Sequence, residues 1–251
     1  MKDEIARYLE NNNLLFSEWK ERHKAQGYTS FIQDGIVEPE VWFGESHRIL
    51  FILKEAYNGD GIPNVDSNLI EELKLPDGSK GRIWSAVAEW VYGLEQTTSN
   101  EIPVFDNWLG ITEHTNDAYR KRKCDLLRKC AILNVKKSNG VNGSDESDLR
   151  VYIEEDADLI RKQIEIIQPT IIVFGSTFHL IKDMIETDLD KRYRILGDDS
   201  SLLPNDRGCY SLGNKTLIAY YHPANQYPAT LNFYGLVGMY HNFLKTRSEI
   251  V

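Results

Sequence analysis

Four short runs of apolar residues, each ending in polar ones, constrain this chain more than any other feature. They are Arg48-Ile49-Leu50-Phe51-Ile52-Leu53, Cys130-Ala131-Ile132-Leu133-Asn134-Val135, Thr170-Ile171-Ile172-Val173-Phe174 and Thr216-Leu217-Ile218-Ala219-Tyr220-Tyr221. A run that short, apolar on both faces, fits a strand buried from both sides, as in parallel sheets. The third is the clearest, being rich in β-branched residues.

Helical patterns separate the runs. Residues 2 to 25 place Ile5, Leu9, Phe16 and Trp19 among charged residues, and 83 to 94 place Ile83, Trp84, Val87, Trp90 and Val91 near a 3.6-residue period. Asn116 or Asp117 is expected to cap a helix running to about Lys129. Residues 148 to 168 form a long helix with Ile153, Ile160, Ile164 and Ile167 on one side, stopped by Pro169. Further helices are expected from Phe178 to about Glu186 and from about Leu231 to Arg247. The segments 97–115 and 190–214 read as irregular, and 137–147, rich in Asn, Gly and Ser, reads as a loop.

Strands alternating with helices imply crossovers and a largely parallel sheet covered on both faces. One α/β domain over residues 1–251 is expected, with an amino-terminal helical extension at about 1–44. In open α/β sheets, ligands bind outside the carboxyl ends of the strands. That rule gathers Lys54 and Glu55, Asn134 and Lys136, Gly175 and Ser176, and His222 and Asn225 along one edge.

Composition narrows the class. The chain has 251 residues, 41% hydrophobic and 27% charged, which is globular. No apolar run approaches a bilayer span, and the acidic start MKDEIARYLE lacks the apolar core of a signal peptide. A cytoplasmic protein without a membrane partner is expected. Cys124, Cys130 and Cys209 match no zinc or iron–sulfur spacing and read as reduced thiols, with a Cys124–Cys130 redox pair as the alternative. The net charge of −9 weighs against coating duplex DNA through a general basic surface. A local basic run, Tyr119 to Lys123 and on through Arg128, Lys129, Lys136 and Lys137, is either a solvated helix face or a phosphate track.

Each strand end has a chemical and a plain reading. Glu55 can orient a water or stabilise positive charge, or simply bond loop amides. Asp60 is a second carboxylate, in an Asp-Gly turn dipeptide. Asn134 offers a donor and an acceptor suited to a nucleobase edge, or closes a turn. Gly175-Ser176-Thr177 leads into a helix and either holds an anion or caps the helix. His222, fixed by Pro223, can donate to an oxygen gaining negative charge. No Walker loop, dinucleotide fingerprint, His-Glu-x-x-His or nucleophile elbow occurs. His179 and Asp183 lie four apart without a third ligand, so neither metal nor cofactor is expected.

These motifs together resemble the uracil-DNA glycosylase superfamily. Leu53 to Gly59 is similar to the family's first catalytic loop, although Lys54 and Tyr57 replace its leading Gly and its Pro. Ile132-Leu133-Asn134 is similar to its base-reading strand, Ile167 to Gly175 to its third strand, and Tyr221-His222-Pro223-Ala224-Asn225 to its last motif, with Ala224 in place of Ser. The likeness covers roughly residues 45 to 245 in order and spacing. It implies a three-layer α/β/α sandwich with a short, mostly parallel sheet. It also implies hydrolysis of the N-glycosidic bond of uracil or a damaged base flipped out of DNA. In that reading Glu55 or Asp60 positions water or stabilises the sugar cation, and His222 stabilises the leaving base. Asn134 reads the base and Tyr57 or Trp84 stacks on it, while Gly175, Ser176 and Asn225 contact phosphate or backbone. The alternatives are a nucleic-acid or nucleotide binding module on the same fold, and a hydrolase of small nucleoside-like substrates.

Overall fold

The computed structural model describes residues 1–56, 66–75, 81–109, 115–138, 140, 143–185 and 207–248. Its centre is a six-stranded sheet. Four strands run parallel in the order β5 (Cys130–Lys136), β3 (Ile49–Glu55), β6 (Ile171–Gly175), β8 (Lys215–Tyr220). Two antiparallel strands close the edges, β2 (Gly35–Ile36) against β5 and β7 (Gly208–Leu212) against β8. A separate pair, β1 (Ile32–Gln33) and β4 (Ser67–Asn68), lies outside this sheet.

The four apolar runs form the parallel strands because both of their faces are covered. Ile49, Phe51 and Leu53 join one core, and Leu50 and Ile52 join the other. On the first face lie α3 (Leu69–Leu73), α4 (Arg82–Gln96), α5 (Asn116–Leu127) and α8 (Ala229–Ser248). On the second lie α1 (Lys2–Ala25), α6 (Glu146–Ile167) and α7 (Phe178–Ile185). The short α2 (Pro39–Trp42) leads into β3. This mixed α/β arrangement with a mostly parallel sheet is compatible with a three-layer α/β/α fold. Each Ile or Leu buried this fully contributes about 1.5–3 kcal/mol.

Some elements differ from expectation. Thr115, one residue before the expected cap, caps α5 by accepting from the Ala118 amide. Asp145 starts α6 two residues early, and Gln168, in the left-handed region at φ 53°, ends it before Pro169. The stretch expected to be irregular ends in β7, which a Gly213-Asn214 turn returns to β8. Residues 1–44, expected as an amino-terminal helical extension of the single domain, contribute α1 to the second core. Leu15, Phe16 and Trp19 are buried in the second core, and the Tyr8 hydroxyl accepts the Ile36 amide at 3.0 Å. No described helix is long and apolar enough to cross a membrane. All three cysteines are buried.

Candidate functional site

The chain order of the parallel strands defines a switch point. From β3 the chain crosses by α3, α4 and α5 to β5 on one side, then by α6 on the other face to β6 beyond β3. A crevice is expected at the carboxyl ends of β3 and β6, where the crossovers part. A cleft of about 410 Å³ lies there, lined by Lys54, Glu146, Ser176, His179, Arg207 and Tyr220 among others.

Gly175 closes β6 and is required by packing. A Cβ there would stand 2.7 Å from Leu53 Cδ2 and 3.1 Å from Pro223 Cδ. Ser176 follows in the left-handed region, at φ 56°. Its amide donates to the Tyr220 carbonyl at 2.9 Å, and its Oγ accepts the His222 amide at 2.9 Å. Thr177 Oγ1 donates to the Ile52 carbonyl at 2.8 Å. The Gly-Ser-Thr turn therefore ties β6 to both β3 and β8.

His222 is held at its backbone and its ring. Its carbonyl accepts from the Asn225 amide at 2.9 Å and from Asn225 Nδ2 at 2.8 Å. Its Nδ1 accepts the Ala224 amide at 3.2 Å. A backbone N–H can only donate, so the ring proton resides on Nε2. Burial, reinforced by the nearby Lys54 charge, pulls the imidazole down to about 4. At neutral pH His222 is thus an uncharged donor through Nε2, the form that stabilises a developing oxyanion without first losing a proton.

Glu55 lies at the same edge in a different setting. Its side chain is only 5% exposed, and Lys136 Nζ stands 3.1 Å from its carboxylate. Lys136 also bonds Asp148 at 2.6 Å. Burial alone would pull the Lys136 ammonium down, but Asp148 and Glu55 together raise it. The Gly140 amide donates to the Ala56 carbonyl at 2.8 Å, and Gly140 lies directly over Glu55. One carboxylate oxygen, Oε1, is buried without a hydrogen-bond partner among the described residues.

The remaining expected residues divide. Asn134, 2% exposed, gives its backbone amide to Asp34 Oδ2 at 2.7 Å and its Nδ2 to the same oxygen at 3.3 Å. Its amide group is held by an internal carboxylate rather than presented to the cleft. Asn225 bonds Asn232 Oδ1 at 3.0 Å and accepts the Tyr227 amide at 3.0 Å, so it staples the His222 loop to α8. Trp84 is half-buried against the first core, on a helix whose Arg82 bonds Gln226 and the Tyr227 carbonyl of the His222 loop. Tyr57 and Asp60 lie outside the described residues.

The basic run is mostly engaged within the molecule. Arg122 donates to the Trp108 carbonyl, Lys129 pairs with Glu45 and Glu95, and Lys137 is wholly buried against Asp34 at 2.6 Å. These partners oppose a continuous phosphate track. His179 pairs with Glu146 at 3.2 Å. Among the described residues, no three His, Cys, Asp or Glu side chains cluster as metal ligands do.

Sequence reasoning overlooked Arg207. Its guanidinium carbon lies over the Tyr221 ring, 3.2 Å from the centroid, and the residue lines the cleft. It follows a stretch with no legible pattern, so no local signal marks it. No family model, curated protein or solved structure matches the chain.

Proposed function

We propose that this chain is a divergent uracil-DNA-glycosylase-like protein that hydrolyses the N-glycosidic bond of uracil or a damaged base. The observation that carries the reading is the uncharged, oriented His222 at the carboxyl edge of a parallel sheet. When a glycosidic bond breaks, its electron pair goes to the base, and negative charge gathers on a base carbonyl oxygen. His222 Nε2–H donates to that oxygen. The sugar becomes cationic, water adds at its anomeric carbon, and the water's proton leaves to a base. Glu55, the last residue of β3, is a buried carboxylate at the same end of the sheet. In this reading it stabilises the sugar cation or takes that proton.

The test is release of free base from uracil-containing single- and double-stranded oligonucleotides. Release by the wild-type chain, reduced about 100-fold or more by His222→Ala and by Glu55→Ala, is expected, since one such donor or base supplies about 10²–10⁴ in rate. No release, or release indifferent to both substitutions, overturns it.

A second reading, a binding module without hydrolysis, is favoured by the burial of Glu55 beneath Gly140 and beside Lys136. Oligonucleotide binding without base release identifies that case.

A further inference from the structure

We infer that the cleft beside His222 holds a phosphate group, with Arg207 as its principal ligand and Lys54 and Ser176 as supporting donors. The inference deepens the proposed function and rests on that reading for what the phosphate is attached to.

Arg207 carries the argument. Its Nε and Nη1 are shielded from solvent and meet no hydrogen-bond acceptor among the described residues. A guanidinium cannot shed its charge at physiological pH, so leaving these donors unmet is costly. The Tyr221 face supports the cation but offers no hydrogen-bond acceptor of lone-pair kind. An anion entering the cleft supplies the acceptor that the described residues do not.

The rest of the lining agrees. Lys54 brings a second cation, 21% exposed. Glu146 is the one carboxylate among the described lining residues, and it is shared between His179 at 3.2 Å and Lys54 at 3.8 Å. It therefore offsets the other basic groups, and no carboxylate among the described lining residues remains for Arg207. Ser176 Oγ accepts from His222 and keeps its own proton to donate. A tetrahedral, multiply charged oxyanion suits donors converging from separate elements, and arginine binds phosphate more strongly than it binds neutral acceptors. Because Ser176 lines the cleft and its Oγ holds the His222 backbone amide, a phosphate here sits one residue contact away from the histidine proposed to stabilise the leaving base. The ligand is then a phosphorylated nucleoside, either a free nucleotide or one unit of a strand.

The experiment measures affinity of the full chain for inorganic phosphate, deoxyuridine, deoxyuridine monophosphate and a fluorescent uracil-containing single-stranded oligonucleotide, beside the base-release assay. Monophosphate or oligonucleotide should bind about tenfold or more tightly than deoxyuridine, and Arg207→Gln should remove that advantage. Preference for the monophosphate identifies a free nucleotide as the source, and preference for the oligonucleotide identifies a strand. Lys54→Gln, at a partly exposed position, should weaken phosphate binding severalfold and decides the matter if Arg207→Gln fails to fold. Deoxyuridine binding as tightly as its phosphorylated forms, or both variants binding phosphate like wild type, overturns the inference. Phosphate affinity without base release removes the hydrolysis reading and leaves this one. Base release with phosphate affinity indifferent to both variants does the reverse.

Discussion

Ser176 accepts the His222 amide through its hydroxyl at 2.9 Å while standing in the left-handed backbone region at φ 56°. The two facts pull in opposite directions. The hydrogen bond stabilises the turn, and a β-carbon in that conformation costs about 1–2 kcal/mol. Ser176→Ala keeps the strain and loses the bond, so it should destabilise by about 1–2 kcal/mol. Ser176→Gly loses the same bond but relieves the strain and should be the more stable of the two by about 1 kcal/mol. Urea unfolding of both variants measures the difference. An alanine variant equal to or more stable than the glycine variant contradicts the strain.

A second pair holds the other side of the sheet. Asp34 accepts from Lys137 Nζ at 2.6 Å, Gln163 Nε2 at 2.8 Å and the Asn134 amide at 2.7 Å, joining β5 to α6 out of water. Burial, only partly opposed by Asp34, pulls the Lys137 ammonium below its ordinary range. Asp34→Ala leaves these donors and Asn134 Nδ2 without their acceptor and should cost about 3–5 kcal/mol. Lys137→Met leaves Asp34 its other donors and should cost less. The double variant should cost less than the sum. Additivity within about 0.5 kcal/mol in a double-mutant cycle would show that the pair is not coupled.

These two clusters mark the boundary of what the sequence discloses. The parallel strands are legible because Ile49–Leu53 and Ile171–Phe174 are apolar at every position, a pattern that only two-sided burial explains. The rule of carboxyl ends then places Lys54, Ser176 and His222 together without any distance being known. β7 escapes notice because Gly208–Leu212 is an edge strand of mixed polarity. Even so, Gly213-Asn214 between Leu212 and Lys215 is a two-residue hairpin signal that was there to be read. The capture of Asn134 by Asp34, 100 residues earlier, is a tertiary event with no local trace. The same holds for Gly140 over Glu55 and for Arg207 on Tyr221.

The pH dependence of stability should carry two opposed contributions. His222 is held at about 4, below its ordinary 6.5, so between those values the unfolded chain binds a proton that the folded chain does not. Its contribution is present above about 6.5 and is lost as pH falls through about 4, to a total of about 3 kcal/mol. Glu89, buried on α4, is raised by desolvation from 4.5 to about 7, with Arg82 opposing. Here the folded chain keeps the extra proton, so the contribution is present below about 4.5 and is lost as pH rises through about 7. Relative to wild type, Glu89→Gln should gain stability as pH rises across that window. His222→Asn should lose its disadvantage as pH falls from about 6.5 to about 4. Urea midpoints collected across pH 4–7.5 (roughly the span of these windows) check both signs. A pH-independent offset for either variant contradicts its assignment.

Gly140→Ala tests whether the position of Glu55 matters apart from its presence. Gly140 lies outside the left-handed region, so alanine suits its backbone. The new Cβ would stand 2.5 Å from Glu55 Cδ and 2.6 Å from Cγ. Lys136 grips the carboxylate at 3.1 Å, so the side chain cannot swing aside freely, and overpacking should cost about 1–3 kcal/mol. In a Glu55→Ala background the space is vacant, and the same change should be nearly neutral. Equal cost in both backgrounds would mean that the two residues do not meet. The functional arm separates the two readings of this edge. If Glu55 serves hydrolysis, displacing it should slow base release about tenfold or more while oligonucleotide affinity stays near wild type. If the edge only binds, Gly140→Ala changes stability alone, because the phosphate donors, Arg207 and Lys54, are separate from the Glu55–Lys136 pair.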